Sequence, residues 1–105
     1  MMTLRIRLRV LEGQGQALQD LYRDAYVPAI RVQPGFLRCE LWQQHGDSQR
    51  YEIAIYFHSE DLRLRWVASP EHAATWPRVE ALCAEITWQG FESVAAPTIA
   101  GGPQA

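Results

Sequence analysis

Trp66 and His72, six positions apart in this 105-residue chain, have the clearest capacity for chemistry. Between them, Ser69-Pro70-Glu71 is typical of a helix start: a capping serine, a proline in the first helical position and an acid after it. His72 is therefore predicted in the first helical turn, where the positive end of the helix favours a neutral imidazole that can accept a proton. Trp66 offers a flat ring and an N–H donor for a substrate oxygen.

Each candidate also has a purely structural explanation. His72 can act only as a hydrogen-bonding residue of the helix cap, and Trp66 fits the apolar inner stripe of a helix. Tyr22 and Tyr26 are four residues apart, so they can point two phenols into one cleft or pack in the core. Trp76 is expected in the wall of a cleft rather than among the reacting groups.

Composition removes several other kinds of chemistry. All ten basic residues are arginine, so lysine Schiff-base catalysis is impossible, and the chain has no asparagine to bind a carbonyl or an oxyanion. A net charge of -2 with scattered arginines argues against nucleic acid as a partner. Cys39 and Cys83 have no metal-ligand spacing, and the three histidines lie on distant segments, so we expect reduced thiols and no bound metal.

The length predicts one domain. No apolar run approaches the roughly 20 residues that cross a bilayer, and the first residues do not resemble a signal peptide. We therefore expect a cytoplasmic protein with no membrane partner. The domain is predicted over 1–94, and 95–105, rich in Ala, Gly and Pro, is predicted to be a loose tail.

Apolar periodicity predicts six elements in the order strand, helix, strand, strand, helix, strand. Alternation predicts strands over 4–10, 36–43, 51–58 and 85–94, and helical spacing predicts a first helix over about 16–27 with a ragged end to Arg31. Further helical segments follow Ser59 and Pro70, the second reaching about residue 84 with an interruption at Trp76-Pro77. With right-handed crossovers, this order predicts an α+β, ferredoxin-like βαββαβ fold whose four-stranded antiparallel sheet carries its helices on one face.

The other sheet face is left uncovered. By alternation it carries a mixture of arginine, aromatic, acidic and histidine side chains: Arg5, Arg7, Arg9, Phe36, Arg38, Glu40, Trp42, Glu52, Tyr56 and His58. Such a face is either a solvated surface or an interface. Because aromatic residues and arginine are enriched at interfaces, we expect a homodimer that forms through this face.

A succession of motifs from 33 to 72 resembles the antibiotic biosynthesis monooxygenase family of the dimeric α/β barrel superfamily. The motifs are Pro34-Gly35-Phe36, a hairpin, the aromatic third strand with its following Ser59, Trp66, and Ser69-Pro70-Glu71-His72. The similarity in order and spacing extends over about 3–94. It implies a dimeric α/β barrel, in which two sheets face each other, with a pocket in each subunit between the sheet and its helices.

The resemblance also implies a function: cofactor-independent oxygenation of a small hydroxylated aromatic, such as a quinol or a polyketide-like compound. Oxygenases of this family line the pocket with a tryptophan, an asparagine and a histidine or tyrosine. Trp66 and His72 match two of these positions, and the asparagine has no counterpart. On this basis His72 is the expected catalytic base and Trp66 the catalytic positioning group, with Tyr22, Tyr26 and Trp76 as substrate contacts.

Two alternatives remain open. The missing asparagine favours a non-catalytic dimeric module that binds an apolar or aromatic ligand in the same cleft. Haem-degrading relatives place the haem-ligating histidine where this chain has Trp76, and they also use an asparagine on the first strand. A haem-binding or haem-degrading function is therefore the least favoured of the three.

Overall fold

A computed structural model describes residues 1–95 of the chain. The predicted loose tail therefore lies, apart from Ala95, outside the described residues. The elements in chain order are β1 (Met2–Val10), α1 (Gly15–Leu21), a π-helical turn (Tyr22–Tyr26), α2 (Val27–Ile30), β2 (Phe36–Gln43), β3 (Arg50–Phe57), α3 (Glu60–Val67), α4 (Pro70–Ala81) and β4 (Cys83–Glu92).

The four strands form one antiparallel sheet in the order β2-β3-β1-β4. Leu4, Ile6, Leu8 and Val10 alternate along β1 and are buried against the helices. This alternation places one face of the central strand in the core, as its sequence pattern predicts. The predicted α+β ferredoxin-like fold is confirmed.

A β-bulge near the start of β2 corrects the predicted face of Phe36. Phe36 pairs with Phe57 but Arg38 pairs with the preceding residue, Tyr56, so one residue of β2 is extra. As a result Phe36 turns to the core and packs edge-to-face on Phe57, with ring centroids 5.9 Å apart. Leu37 is 38% exposed. The prediction that Phe36 belongs to the uncovered face was wrong.

The first helical stretch continues past Pro28, where the sequence predicts its end near residue 27. The π-helical turn precedes this proline, and the N–H of Val27 bonds to the carbonyl of Tyr22, five residues back. Pro28 then occupies a starting position of α2, where a missing N–H costs little. The stretch therefore ends at Ile30, within the ragged end that the sequence predicts up to Arg31.

Helix α4 also passes through its internal proline, so the predicted interruption at Trp76-Pro77 was wrong. Pro77 is exposed, so the carbonyl that loses its helical partner can bond to water. The helix ends at Ala81, and β4 begins at Cys83, two residues before the predicted start, because Cys83 pairs with Val10 across a register shift.

Gly35 allows the backbone of the turn before β2 to pass close to helix α3. Its φ is 79°, in the left-handed region, and a Cβ at this position would overlap the side chain of Leu62. Between residues 1 and 95, no helix is long and apolar enough to cross a membrane.

Candidate active site

A cavity of about 280 Å³ lies between the sheet and helices α3 and α4. This volume is close to the lower end of the range for small-molecule sites, roughly 300 Å³. The lining is mostly apolar and aromatic, and it comes from all three of β1, β3 and β4, from the π-helical turn and from both helices: Leu4, Ile6, Tyr26, Ile55, Arg63, Leu64, Trp66, Val67, His72, Trp76 and Trp88.

Four ring side chains of the cavity form a continuous packed series. Trp66 and His72 lie nearly perpendicular with ring centroids 4.9 Å apart, and His72 and Trp76 stack at 5.8 Å. On the other side, Tyr26 meets Trp66 edge-on at 5.8 Å. Thus four of the five site residues predicted from the sequence lie together in the cavity wall.

The fifth, Tyr22, is not among the lining residues. It stacks on Tyr26 with centroids 5.8 Å apart and donates a hydrogen bond from its hydroxyl to Cys39 Sγ at 3.1 Å. Burial and the contact with Cys39 raise the pKa of the Tyr22 hydroxyl far above its usual range. Tyr22 therefore supports the back of Tyr26, facing the sheet.

Ser69 links the two halves of the Trp66–His72 pair. Its Oγ accepts a hydrogen bond from the backbone N–H of His72 at 3.1 Å and donates one to the carbonyl of Trp66 at 2.7 Å. The serine cap predicted for α4 is confirmed. Because the same oxygen also bonds to the end of α3, Ser69 fixes the backbone of Trp66 relative to that of His72.

The surroundings of His72 favour its neutral form. Burial is the main cause that lowers the pKa of this imidazole, and the nearby charge of Arg63 lowers it further, while Glu80 acts in the opposite direction. The sequence predicts a neutral imidazole because His72 lies at the positive end of a helix. In the structure, the main cause of the lowered pKa is burial. A neutral imidazole in this cavity can accept a proton at pH 7.

Tyr26 faces the cavity from the π-helical turn and is 1% exposed. Burial raises the pKa of its hydroxyl well above the usual range, so the phenol keeps its proton and can only donate or accept hydrogen bonds. Turns of this kind often occur at functional sites because the extra residue changes which side chains face inward. No pattern in the sequence predicts this turn.

Arg63 is the lining residue that sequence reasoning missed. Its side chain is only 15% exposed and makes two contacts with Glu60, including Nε to Oε2 at 2.8 Å. In the sequence, Glu60 and Arg63 are a common surface pair at i, i+3 spacing, which gives no signal of a cavity. Trp88 lines the cavity from β4 and is 63% exposed.

Comparisons with known structures agree with this architecture. SnoaB, a cofactor-independent oxygenase from Streptomyces nogalater, has a TM-score of 0.83 at 18% identity, covering 93% of this chain and 97% of that one. A Nitrosomonas europaea protein of unknown function has a TM-score of 0.76 at 22% identity, covering 95% of each chain. A Pseudomonas aeruginosa protein has a TM-score of 0.75 at 20% identity, covering 90% and 94%. At these identities the likeness shows the fold.

The family itself is shown by the sequence. No curated protein matches the chain. The family model for antibiotic biosynthesis monooxygenase, however, matches residues 1–78, which include β1 to β3, α3 and most of α4. The resemblance noted from the motifs is thereby confirmed, and this chain belongs to the antibiotic biosynthesis monooxygenase family.

Proposed function

We propose that this protein is a cofactor-independent monooxygenase that oxidises a small hydroxylated aromatic in the cavity. The observation that carries the proposal is the position of His72, a neutral base packed between Trp66 and Trp76 in a largely apolar site. Family membership and the likeness in fold to SnoaB support a monooxygenase-type activity.

His72 removes the proton from a phenol or quinol hydroxyl and leaves an electron-rich anion. The anion passes one electron to O2, and the resulting substrate radical combines with superoxide to form a peroxide on the ring. The protonated His72 returns its proton to the peroxide, and loss of water from the resulting hydroperoxide gives a quinone that keeps one atom of O2, while the second leaves as water. Because the substrate supplies all four electrons that reduce O2, this route needs no bound cofactor. A positioned base contributes about 10²- to 10⁴-fold.

The other ring residues orient the substrate. Trp66 supplies a flat face and a hydrogen bond from its indole N–H to Tyr26, Trp76 forms the opposite wall, and the protonated phenol of Tyr26 is a hydrogen-bond donor for a substrate oxygen. Tyr22 acts indirectly, because its stacking on Tyr26 and its hydrogen bond to Cys39 hold that phenol in place.

We also propose that the uncovered sheet face pairs with a second copy of the chain. Arg5 bonds to Glu52 at 2.6 Å and lies 5.3 Å from the ring centroid of Trp42, which is 37% exposed. Arg38 lies 4.3 Å from the ring centroid of Tyr56 on the same face. Since both charge signs and exposed aromatic rings alternate there, the face is complementary to itself.

Oxygen consumption by metal-stripped protein tests the catalytic proposal. The substrates are a panel of quinols and polycyclic phenols, and the comparison is between wild type, His72→Ala and the control His45→Ala, whose imidazole is exposed in the turn between β2 and β3 and absent from the cavity lining. We expect uptake to fall about a hundredfold or more in His72→Ala and to stay unchanged in the control. Uptake that is equal in all three proteins would refute the role of His72.

A non-catalytic binding module is the second candidate, and the absence of asparagine from the whole sequence favours it. Asparagine is a common donor to the oxygen on which negative charge develops. If this candidate is right, the panel compounds bind in the cavity but oxygen uptake does not exceed the rate without protein.

A further inference from the structure

We propose that Arg63 selects aromatic substrates that carry a carboxylate, which binds to the free edge of its guanidinium while the ring occupies the aromatic cavity. This inference relies on the proposed site and goes further by naming the substrate class. It concerns a residue that acts on the pKa of His72 but to which the proposed function assigns no contact with the substrate.

The argument begins with the hydrogen bonds of the guanidinium. Arginine has five N–H donors, which form two edges able to hold a carboxylate. Glu60 occupies one edge, through Nε and Nη2. Nη1 has no acceptor among residues 1–95, so the edge formed by Nη1 and Nη2 is left for an incoming group.

The cavity lining makes this edge selective. Among the lining residues within 1–95, Arg63 is the one cation at neutral pH, since His72 is neutral, and none of them is an acid. Around it are the apolar and aromatic walls, where water screens charge less than it does at the surface. A carboxylate on the substrate therefore binds to Arg63 more strongly than a neutral oxygen does. The aromatic part of the ligand packs against the ring side chains of the cavity wall.

Arg63 also lies where the cavity adjoins a shallow groove along β4. The groove shares three residues with the cavity, Leu4, Arg63 and Trp88, and its lining includes the carboxylates of Glu60 and Glu92, so the guanidinium is the group there that attracts an anion. A ligand that enters from this groove meets the guanidinium before the interior. Binding at the entrance orients the remote end of the substrate and leaves the hydroxylated ring to reach His72.

Isothermal titration calorimetry at pH 7 with 2-naphthoate and 2-naphthol tests the inference, because the two probes share a ring system and differ in charge. We expect wild type to bind the acid at least about tenfold more tightly, a difference of about 1.4 kcal/mol. In Arg63→Gln the preference disappears, while affinity for 2-naphthol changes less than about twofold.

Three further variants separate charge, competition and helix damage. Arg63→Lys keeps the charge but loses the planar edge, so an intermediate preference is expected. Glu60→Gln removes the competing carboxylate and strengthens naphthoate binding. Arg65→Gln is the matched control, because Arg65 is exposed on the same helix and absent from the lining, and its preference should equal that of wild type.

The outcomes distinguish this inference from the proposed function. Binding of 2-naphthol without any preference for 2-naphthoate overturns the role of Arg63 and leaves the aromatic cavity intact. A preference that survives in Arg63→Gln overturns it as well. If neither probe binds to wild type, both the proposed aromatic site and the inference about Arg63 are contradicted.

Discussion

His72 combines a lowered pKa, which favours the neutral imidazole, with a backbone position fixed by a helix cap. Packing against Trp66 and Trp76 partly shields the imidazole from water, and the Ser69 cap bonds to the His72 backbone N–H. The motif around Ser69 was sufficient to predict the helix start and the His72–Trp66 neighbourhood. Arg63 could not be predicted in the same way, since its spacing from Glu60 is that of an ordinary surface pair.

Proton binding by His72 gives a pH prediction. Because burial lowers its pKa in the folded protein, we expect the imidazole to titrate below its usual value of about 6.5. The unfolded chain then binds more protons, so the contribution of this residue to stability is lost as pH falls below about 6.5. Proton NMR titration of wild type beside His72→Ala measures it, and a resonance that titrates above 6.5 would contradict the description of the site.

Ser69 and Ser59 provide a matched pair of helix caps. Each Oγ accepts one backbone hydrogen bond, from His72 and from Leu62 respectively, but only Ser69 also bonds to the carbonyl of Trp66. Replacement of either serine by alanine is expected to lower the free energy of unfolding by about 1 kcal/mol. Only Ser69→Ala should also shift the pKa of His72, which NMR detects. Equal effects of both variants on His72 would show that the Ser69 bridge has no positioning role.

At the scale of the elements, alternation and helical spacing were enough to place every strand and helix in order. What they missed were irregularities of the hydrogen-bond ladder: the β-bulge at the start of β2, the π-helical turn at Tyr22–Tyr26 and the passage of α4 through Pro77. The bulge, for example, accompanies a contact between distant segments, that of Phe36 with Phe57. A local sequence pattern does not contain this information.

The turn before β2 gives a stability prediction with an internal control. Gly35 and Gly46 both have a positive φ, 79° and 81°, but only Gly35 faces a neighbour, the side chain of Leu62. Gly46→Ala should cost only the backbone penalty of about 1–2 kcal/mol. Gly35→Ala should cost that plus about 1–3 kcal/mol for overpacking. Urea unfolding measures both free energies of unfolding. Equal losses in the two variants would show that α3 can move away from residue 35 at no cost in stability.

For the whole molecule, the uncovered sheet face carries the proposal of a homodimer. Trp42 lies on that face, and Trp42→Glu would place a charge in the proposed interface between two copies of the chain. We expect sedimentation equilibrium to give twice the mass of one chain for wild type and a single-chain mass for the variant. Val32→Glu is the control, since Val32 is 64% exposed in the segment between α2 and β2. A wild-type protein of single-chain mass at micromolar concentration would contradict the dimer.

The fate of molecular oxygen tests the proposed monooxygenase reaction most directly. Metal-stripped protein is supplied with ¹⁸O2 and with the panel compound that supports the fastest uptake, and the product is analysed by mass spectrometry at short times. We expect one labelled oxygen atom per quinone formed and the second in water. In His72→Ala, the amount of labelled quinone should fall by the same factor as turnover. A quinone that contains no label, or no turnover with any compound of the panel, would contradict cofactor-independent monooxygenation at this site.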